Sequence, residues 1–385
     1  MTAVGERTEG LDFALDPDLV ELRTLAERIL ADRADVDRVR QVEESAGGFD
    51  ADLWSRLADA GLLAAALADE VGGAGLGMLG LVTLLEQQGR RVAPIPLADV
   101  LAGAAVPIAR WGSAAQREHW LPGLLSGSLV VTAAFDETAG TLTAQPVADG
   151  WVVSGRLAAV AAAPVADAVV APARTPDGST VVLVVPLDAD GVTRQVVAAT
   201  DRRSCGAVSF ARAGAAALGA DVADGVDVAA WVRRRLRVAS AAVQLGVCEE
   251  ALATTAAYVS ERVQFGRPIS TNQAVAVRAA DAYLDTEALR LTTQHAAWLL
   301  DRGEEEAAEA ASLVAKHWAG RGGLRVVHAT QHLHGGIGAD VDYPIHRYFL
   351  WGRQGAFALG SPGAVAAELG ELLPDAPRIG APEQP

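Results

Sequence analysis

Glu261-Arg262-Val263-Gln264-Phe265-Gly266-Arg267-Pro268-Ile269 leads to Asn272-Gln273, and further on the chain reads Gln331-His332-Leu333-His334-Gly335-Gly336-Ile337-Gly338. Two long Ala- and Leu-rich segments with helical periodicity lie between these polar ends. One end carries an arginine and an aromatic ring, the other paired glycines beside imidazole and amide groups. A guanidinium can pair bidentately with a pyrophosphate, and glycines let the backbone approach a ligand and donate its free N–H groups. The combination suits a phosphate-bearing cofactor with a flat ring system. Each end also has a plainer reading. Arg262 can serve as a cation at a helix C-terminus, and the glycines as a C-cap followed by a loop.

Around this stretch the chain divides by texture. Helical spacing begins with Leu19, Leu22, Leu25 and Leu30; Asp50 is placed to cap a second helix through Leu53, Trp54 and Leu57, ending at Gly61. A third helix follows the turn at 71–77, and further helical segments cover 96–110 and 114–125, with Ser113 as the expected cap. From Leu129 short Val-rich runs alternate with turn residues: 129–134, 141–147, 151–154, 168–173, 180–186, 192–197 and 207–211. The helical period returns over 229–260, 272–301, 304–331, 341–356 and 362–373. The expected fold is α+β and mostly α: an N-terminal helical domain (1–127), a middle β-barrel domain (128–228), a C-terminal helical bundle (229–373) and a Pro-rich disordered tail (374–385). Residues 1–15 are expected to fray, and no internal repeat is found.

Composition narrows the function. The 385 residues are 51% hydrophobic, 21% charged and only 5% aromatic, so Ala, Val and Leu fill a globular core. A formal charge of −16 disfavours nucleic acid as a partner. Lys316 is the only lysine, and Arg233-Arg234-Arg235 reads as a solvated helix end. Two cysteines, Cys205 and Cys248, make neither a disulfide framework nor a zinc ribbon. No apolar run is long enough to span a bilayer, and no secretory segment is recognised, so a cytoplasmic protein is expected without membrane association.

Other motifs carry less. Gly75-Leu76-Gly77-Met78-Leu79-Gly80 fits G-x-G-x-x-G, but helices flank it on both sides, and a dinucleotide fold needs a strand before it. His328, His332 and His334 invite a zinc reading, yet no acid or cysteine lies beside them, so no metal site is expected. Glu249 and Glu250 adjoin on one helix, diverge, and are expected at the surface.

The helix–strand–helix order and these strings resemble the acyl-CoA dehydrogenases over nearly the whole chain. Asp50…Leu53-Trp54…Gly61-Leu62 and Glu70…Gly72-Gly73…Gly75 are similar to the family's N-terminal signature, and Trp111-Gly112-Ser113…Gln116…Trp120-Leu121-Pro122…Gly127 to the approach to its β domain. Arg262…Phe265-Gly266, Gln273 and His334-Gly335-Gly336-Ile337-Gly338…Tyr343-Pro344 are the most specific markers. The resemblance implies FAD held between subunits, an acyl-CoA substrate dehydrogenated at its α and β carbons, and an electron-transfer flavoprotein as acceptor. It further implies that Arg262 pairs with the FAD pyrophosphate, Phe265 packs on the cofactor, Gln273 hydrogen-bonds it, and the 332–336 segment, with His332, Gly335 and Gly336, contacts its adenosine side; Asn272, beside Gln273 at the helix start, is read from its place as a further cofactor-binding candidate.

The chain also departs from the family's pattern. The usual glutamate base, ahead of Gly-Thr or Gly-Ser, aligns with Leu359 before Gly360-Ser361, and the alternative position falls near Arg235-Leu236. No catalytic residue is therefore assigned. The flavin-facing strand reads Leu157-Ala158-Ala159-Val160-Ala161, without the family's aromatic and hydroxyl, and the Thr-Glu-Pro-Gly loop is replaced by Ala134-Phe135-Asp136-Glu137. His332 stands where a glutamine is usual, one residue after Gln331. Losses on the half that faces flavin and substrate, with the outward arms retained, resemble the base-lacking partner in heteromeric bacterial acyl-CoA dehydrogenases of the steroid side-chain type. The expected partner is a second acyl-CoA dehydrogenase-type subunit in an α2β2 assembly. Two alternatives stay open: a self-sufficient dehydrogenase with an atypical base, Glu137 being the candidate, and a flavin-free scaffold of the same fold.

Overall fold

A computed structural model describes residues 15–45, 47–136, 138, 140–148, 150–219 and 224–373. The expected tail at 374–385, the first fourteen residues and Glu137 lie outside the described residues.

The N-terminal part holds α1 (Pro17–Arg33), α2 (Val36–Glu44), α3 (Ala51–Asp59), α4 (Gly77–Arg91), a π-helical turn over Ala98–Ala105 running into α5 (Val106–Trp111), and α6 (Ala114–Leu125). The cap readings hold. Asp50 accepts from the Leu53 N–H at 3.1 Å, and Ser113 with Gln116 closes a reciprocal capping box. The charged α2 shows too few apolar positions to be seen in advance. It is pinned from outside itself, where Arg38 grips Asp50 through Nε and Nη2 at 2.8 and 2.6 Å.

Seven strands follow: β1 (Val131–Ala133), β2 (Leu142–Val147), β3 (Gly150–Ala161), β4 (Ala168–Arg174), β5 (Thr180–Pro186), β6 (Val192–Val196) and β7 (Cys205–Ala217). Pairing runs β4-β2-β3-β7-β5 and returns to β4, which closes a five-stranded barrel, while β1 adds parallel to β4 and β6 antiparallel to β7. Strands β3 and β7 run well past the apolar segments that announced them. They curl around the barrel with register shifts near Val153 and Leu157, and such bulges hide the alternation of side chains.

The C-terminal part is a bundle of α7 (Gly225–Glu261), α8 (Gln273–Asp301), α9 (Glu305–His334), α10 (Ile345–Phe357) and α11 (Pro362–Leu372). Two expectations about charge are corrected. The Arg233–Arg235 run is not a solvated end: Arg235 is buried, donates to Glu305 at 2.5 Å and stacks on Trp231, while Arg234 reaches Glu305 and Glu309. Glu249 is likewise buried, held by Arg90 of α4 at 3.0 Å and Arg290 of α8 at 2.5 Å. In both cases the partners come from distant segments, so local composition could not reveal them.

Candidate active site and flavin arms

A cavity of about 380 Å³ opens where the turn before α5, the barrel and the helices α7 and α10 meet. Its walls are largely small and apolar, with Ala133, Ala158, Ala159 and Ala161 from the barrel and Leu236 and Val243 from α7. Leu359 stands in this wall, at the position where the resemblance places a base. Its backbone has φ of 59°, a left-handed conformation that branched side chains adopt only under constraint. The constraint is visible: the Leu359 N–H donates to Asp136 Oδ2 at 2.9 Å, and Asp136 Oδ1 accepts from both the N–H and the hydroxyl of Thr138. Behind this loop the buried Lys316 donates to the carbonyls of Gly355 and Ala356 at the end of α10.

The face of α7 toward the cavity carries Leu236, Ser240, Val243 and Gln244, and no carboxylate. Arg237 turns away, into a bidentate pair with Glu368 at 2.8 and 2.5 Å. Among the described residues, the cavity's acidic groups are Asp99, Asp136 and Asp201. Burial, then the neighbouring Asp201 charge, pushes the Asp99 carboxyl up, while Arg203 pulls the other way. A hydrocarbon side chain at Leu359 cannot take a proton.

None of the seven candidate cofactor residues lines this cavity. Residues 263–264 and 267–268 pair as a short antiparallel hairpin, and Phe265 and Gly266, at φ of 53° and 79°, form its two-residue turn. Phe265 is 100% exposed at the tip, and Arg262 lies exposed at the base, where its backbone N–H donates to the Tyr258 carbonyl at 2.9 Å. Asn272 is exposed and caps α8 through Oδ1 to the Ala274 N–H at 3.0 Å, with Gln273 exposed beside it. His332, Gly335 and Gly336 are exposed at the end of α9, and a Cβ on either glycine would meet no atom within 4 Å.

The bases of the two polar ends are joined by a stack of half-buried Tyr258 on buried His334 that sequence reading missed. Tyr258 of α7 lies against the His334 ring with centroids 4.5 Å apart, and His334 Nδ1 bonds the Thr330 carbonyl at 2.8 Å. Burial holds the His334 imidazole below its ordinary range. The three histidines point apart: the His328 ring stands perpendicular to Phe349, His332 is exposed and His334 is buried. The glycine string at 75–80 serves packing, since the first N–H groups of α4, at Met78 and Leu79, donate to the Asp301 carboxylate of α8 at 2.6 and 2.9 Å.

The donors on these arms fit an FAD pyrophosphate and adenosine: an exposed guanidinium, amide and imidazole groups, and open glycine backbone. A fold of helices, a five-stranded barrel and a helical bundle with such arms is that of a flavin-dependent dehydrogenase of acyl thioesters. The chain belongs to the acyl-CoA dehydrogenase family: residues 16–128 match its N-terminal domain and 223–364 its C-terminal domain. FAD is the cofactor of this family. The acyl-CoA dehydrogenase FadE27 of Mycobacterium tuberculosis is 35% identical over 95% of this chain and 100% of its own. A solved Tcur3481-Tcur3483 steroid ACAD variant superposes with a TM-score of 0.88 at 44% identity, covering 93% of this chain and 98% of that one. The ChsE4-ChsE5 complex of Mycobacterium tuberculosis gives 0.88 at 34% identity over 95% and 100%. Among the described residues, no helix is long and apolar enough to cross a membrane.

Proposed function

We propose that this chain is the base-lacking subunit of a heteromeric acyl-CoA dehydrogenase, in which its arms support FAD over a partner's active site. The carrying observation is a separation. The residues suited to FAD stand exposed and away from the chain's own cavity, while that cavity has Leu359 where a base belongs. The similarity to two proteins solved as pairs of unlike chains supports the same reading.

In this reading Arg262 neutralises the pyrophosphate, Phe265 packs on the cofactor, Asn272 and Gln273 hydrogen-bond it, and His332 with Gly335 and Gly336 lies along the adenosine. When bound, FAD would supply the hydride-acceptor chemistry for the β-carbon of an acyl thioester, with an electron-transfer flavoprotein as the onward electron acceptor. This chain's residues contribute binding and orientation, and the α-proton goes to the partner's carboxylate. A self-sufficient enzyme using Glu137 and a flavin-free scaffold are the rival outcomes.

Co-expression with an acyl-CoA dehydrogenase-type subunit encoded beside it tests the proposal. The pair is expected to hold one FAD for each two unlike chains and to oxidise an acyl-CoA, while this chain alone is flavin-poor and inactive. Arg262→Ala should weaken FAD retention by about 10-fold or more, the usual loss for a charge-assisted pair. Leu359→Glu should leave turnover unchanged, because no flavin reacts beside it. Full FAD content and turnover in the isolated chain would sink the reading.

A further inference from the structure

The two flavin arms leave the bundle at the ends of different helices, and one ring pair stands between those ends. Tyr258 lies one helical turn, about 6 Å, before Arg262, and its carbonyl accepts the Arg262 N–H that closes α7. On the other side His334 is the last residue of α9 and adjoins Gly335, whose φ of 64° turns the chain out of the helix. The glycine turn is tied back to α9. The Gly335 N–H donates to the His332 carbonyl, and Gln331 Nε2 donates to the Gly338 carbonyl at 3.0 Å. Each arm is thus fastened to its own helix end. The Tyr258 ring lies on the His334 ring 24° from parallel, and Tyr343 sets its ring against both, with centroids at 6.4 and 5.3 Å.

Neither ring is placed to bind the cofactor itself. His334 is 3% exposed and its Nδ1–H is committed to the Thr330 carbonyl, while the Tyr258 hydroxyl donates to the His334 carbonyl at 3.5 Å. With the proton on Nδ1, Nε2 is a bare acceptor, buried and without a hydrogen-bond partner among the described residues. Burial favours that uncharged imidazole. The pair therefore acts through what it joins. A ligand that spans pyrophosphate and adenosine needs both arms at one spacing, and setting the spacing beforehand lowers the ordering cost of binding. We infer, resting on the reading of the arms given above, that Tyr258 and His334 are positioning residues whose stack sets the span between Arg262 and the Gly335-Gly336 backbone, so that both act on one FAD.

A double-mutant cycle on the co-expressed assembly tests this, with FAD affinity read by flavin fluorescence as the flavin-stripped assembly is titrated. Arg262→Ala and Tyr258→Leu should each weaken FAD by about 10-fold. Combined, they should fall short of the product of the single losses by about five-fold or more, because an Arg262 already out of place has little left to lose. Tyr258→Phe should stay within about two-fold of wild type, since it keeps the ring and gives up only a long hydroxyl bond. Leucine keeps helix propensity and apolar area at this half-buried site. His334→Leu, taken through the same cycle from the other ring, should show the same shortfall. Single losses that simply multiply, a Tyr258→Leu affinity equal to wild type, a Tyr258→Phe as weak as Tyr258→Leu, or a shortfall from one ring only overturns the inference. Arg262→Ala without effect on FAD in the otherwise wild-type chain overturns the reading of the arms, and the span with it. A full Arg262 loss with no shortfall overturns the span alone.

Discussion

Lys316 shows how much chemistry one residue can hold behind a wall that lacks a base. Burial, reinforced by Arg237 and opposed by Asp136, brings its amine down to about 8. Between that pH and the ordinary lysine range the unfolded chain carries a proton that the folded chain has lost. Stability from this group therefore rises with pH in that window. Wild type measured against Lys316→Met by urea denaturation should gain on the order of 2 kcal/mol from pH 7 to pH 10. A pH-independent difference would show that the ammonium is not desolvated. Asp136, whose charge opposes that shift, also holds the Leu359 backbone in the left-handed region.

At the scale of elements, the joint between α4, α7 and α8 matters most. A Cβ at Gly246 would lie 1.9 Å from the Glu86 carbonyl oxygen, and one at Gly89 would lie 2.1 Å from that of Val243, so the α4 and α7 backbones touch. That contact brings Glu86 against Glu249, with Arg90 and Arg290 around them. Burial, then the Glu249 charge, pushes the Glu86 carboxyl well up, against the pull of Arg290 and Arg90. Above the ordinary carboxylate range the folded chain keeps a proton that the unfolded chain has released, so this joint loses stability as pH rises. Glu86→Gln should be more stable than wild type at pH 8, by on the order of 2 kcal/mol, with the gap shrinking toward pH 5. A gap that does not change with pH would remove the shared proton from the account.

For the whole molecule, the exposed side of α8 is the informative surface. Val277, Leu284 and Leu291 recur every seventh residue and stay exposed, Leu284 at 65%. A spacing of seven keeps them on one helix face, and the exposed Phe265 and Ile337 add apolar surface at the arms. An apolar stripe of this kind suits a protein neighbour. Leu284→Asp should shift the co-purified complex to smaller species in light scattering while circular dichroism is unchanged. Retention of the full assembly would place the neighbour elsewhere.

The sequence determined the order of helices, barrel and bundle, because apolar spacing and turn residues are local signals. Asp50, Ser113 and Asn272 announce helix starts for the same reason. It also showed the hydrocarbon at Leu359 and the outward arms, as motifs of fixed spacing. Tertiary structure alone decided what the charges do. Glu249, Arg235 and Asp301 find partners 159, 70 and 223 residues away, too far for any local pattern to signal. It likewise decided that Ser204, Trp351 and Asp99, which share no motif, face one cavity, because only the closure of barrel against bundle brings them together.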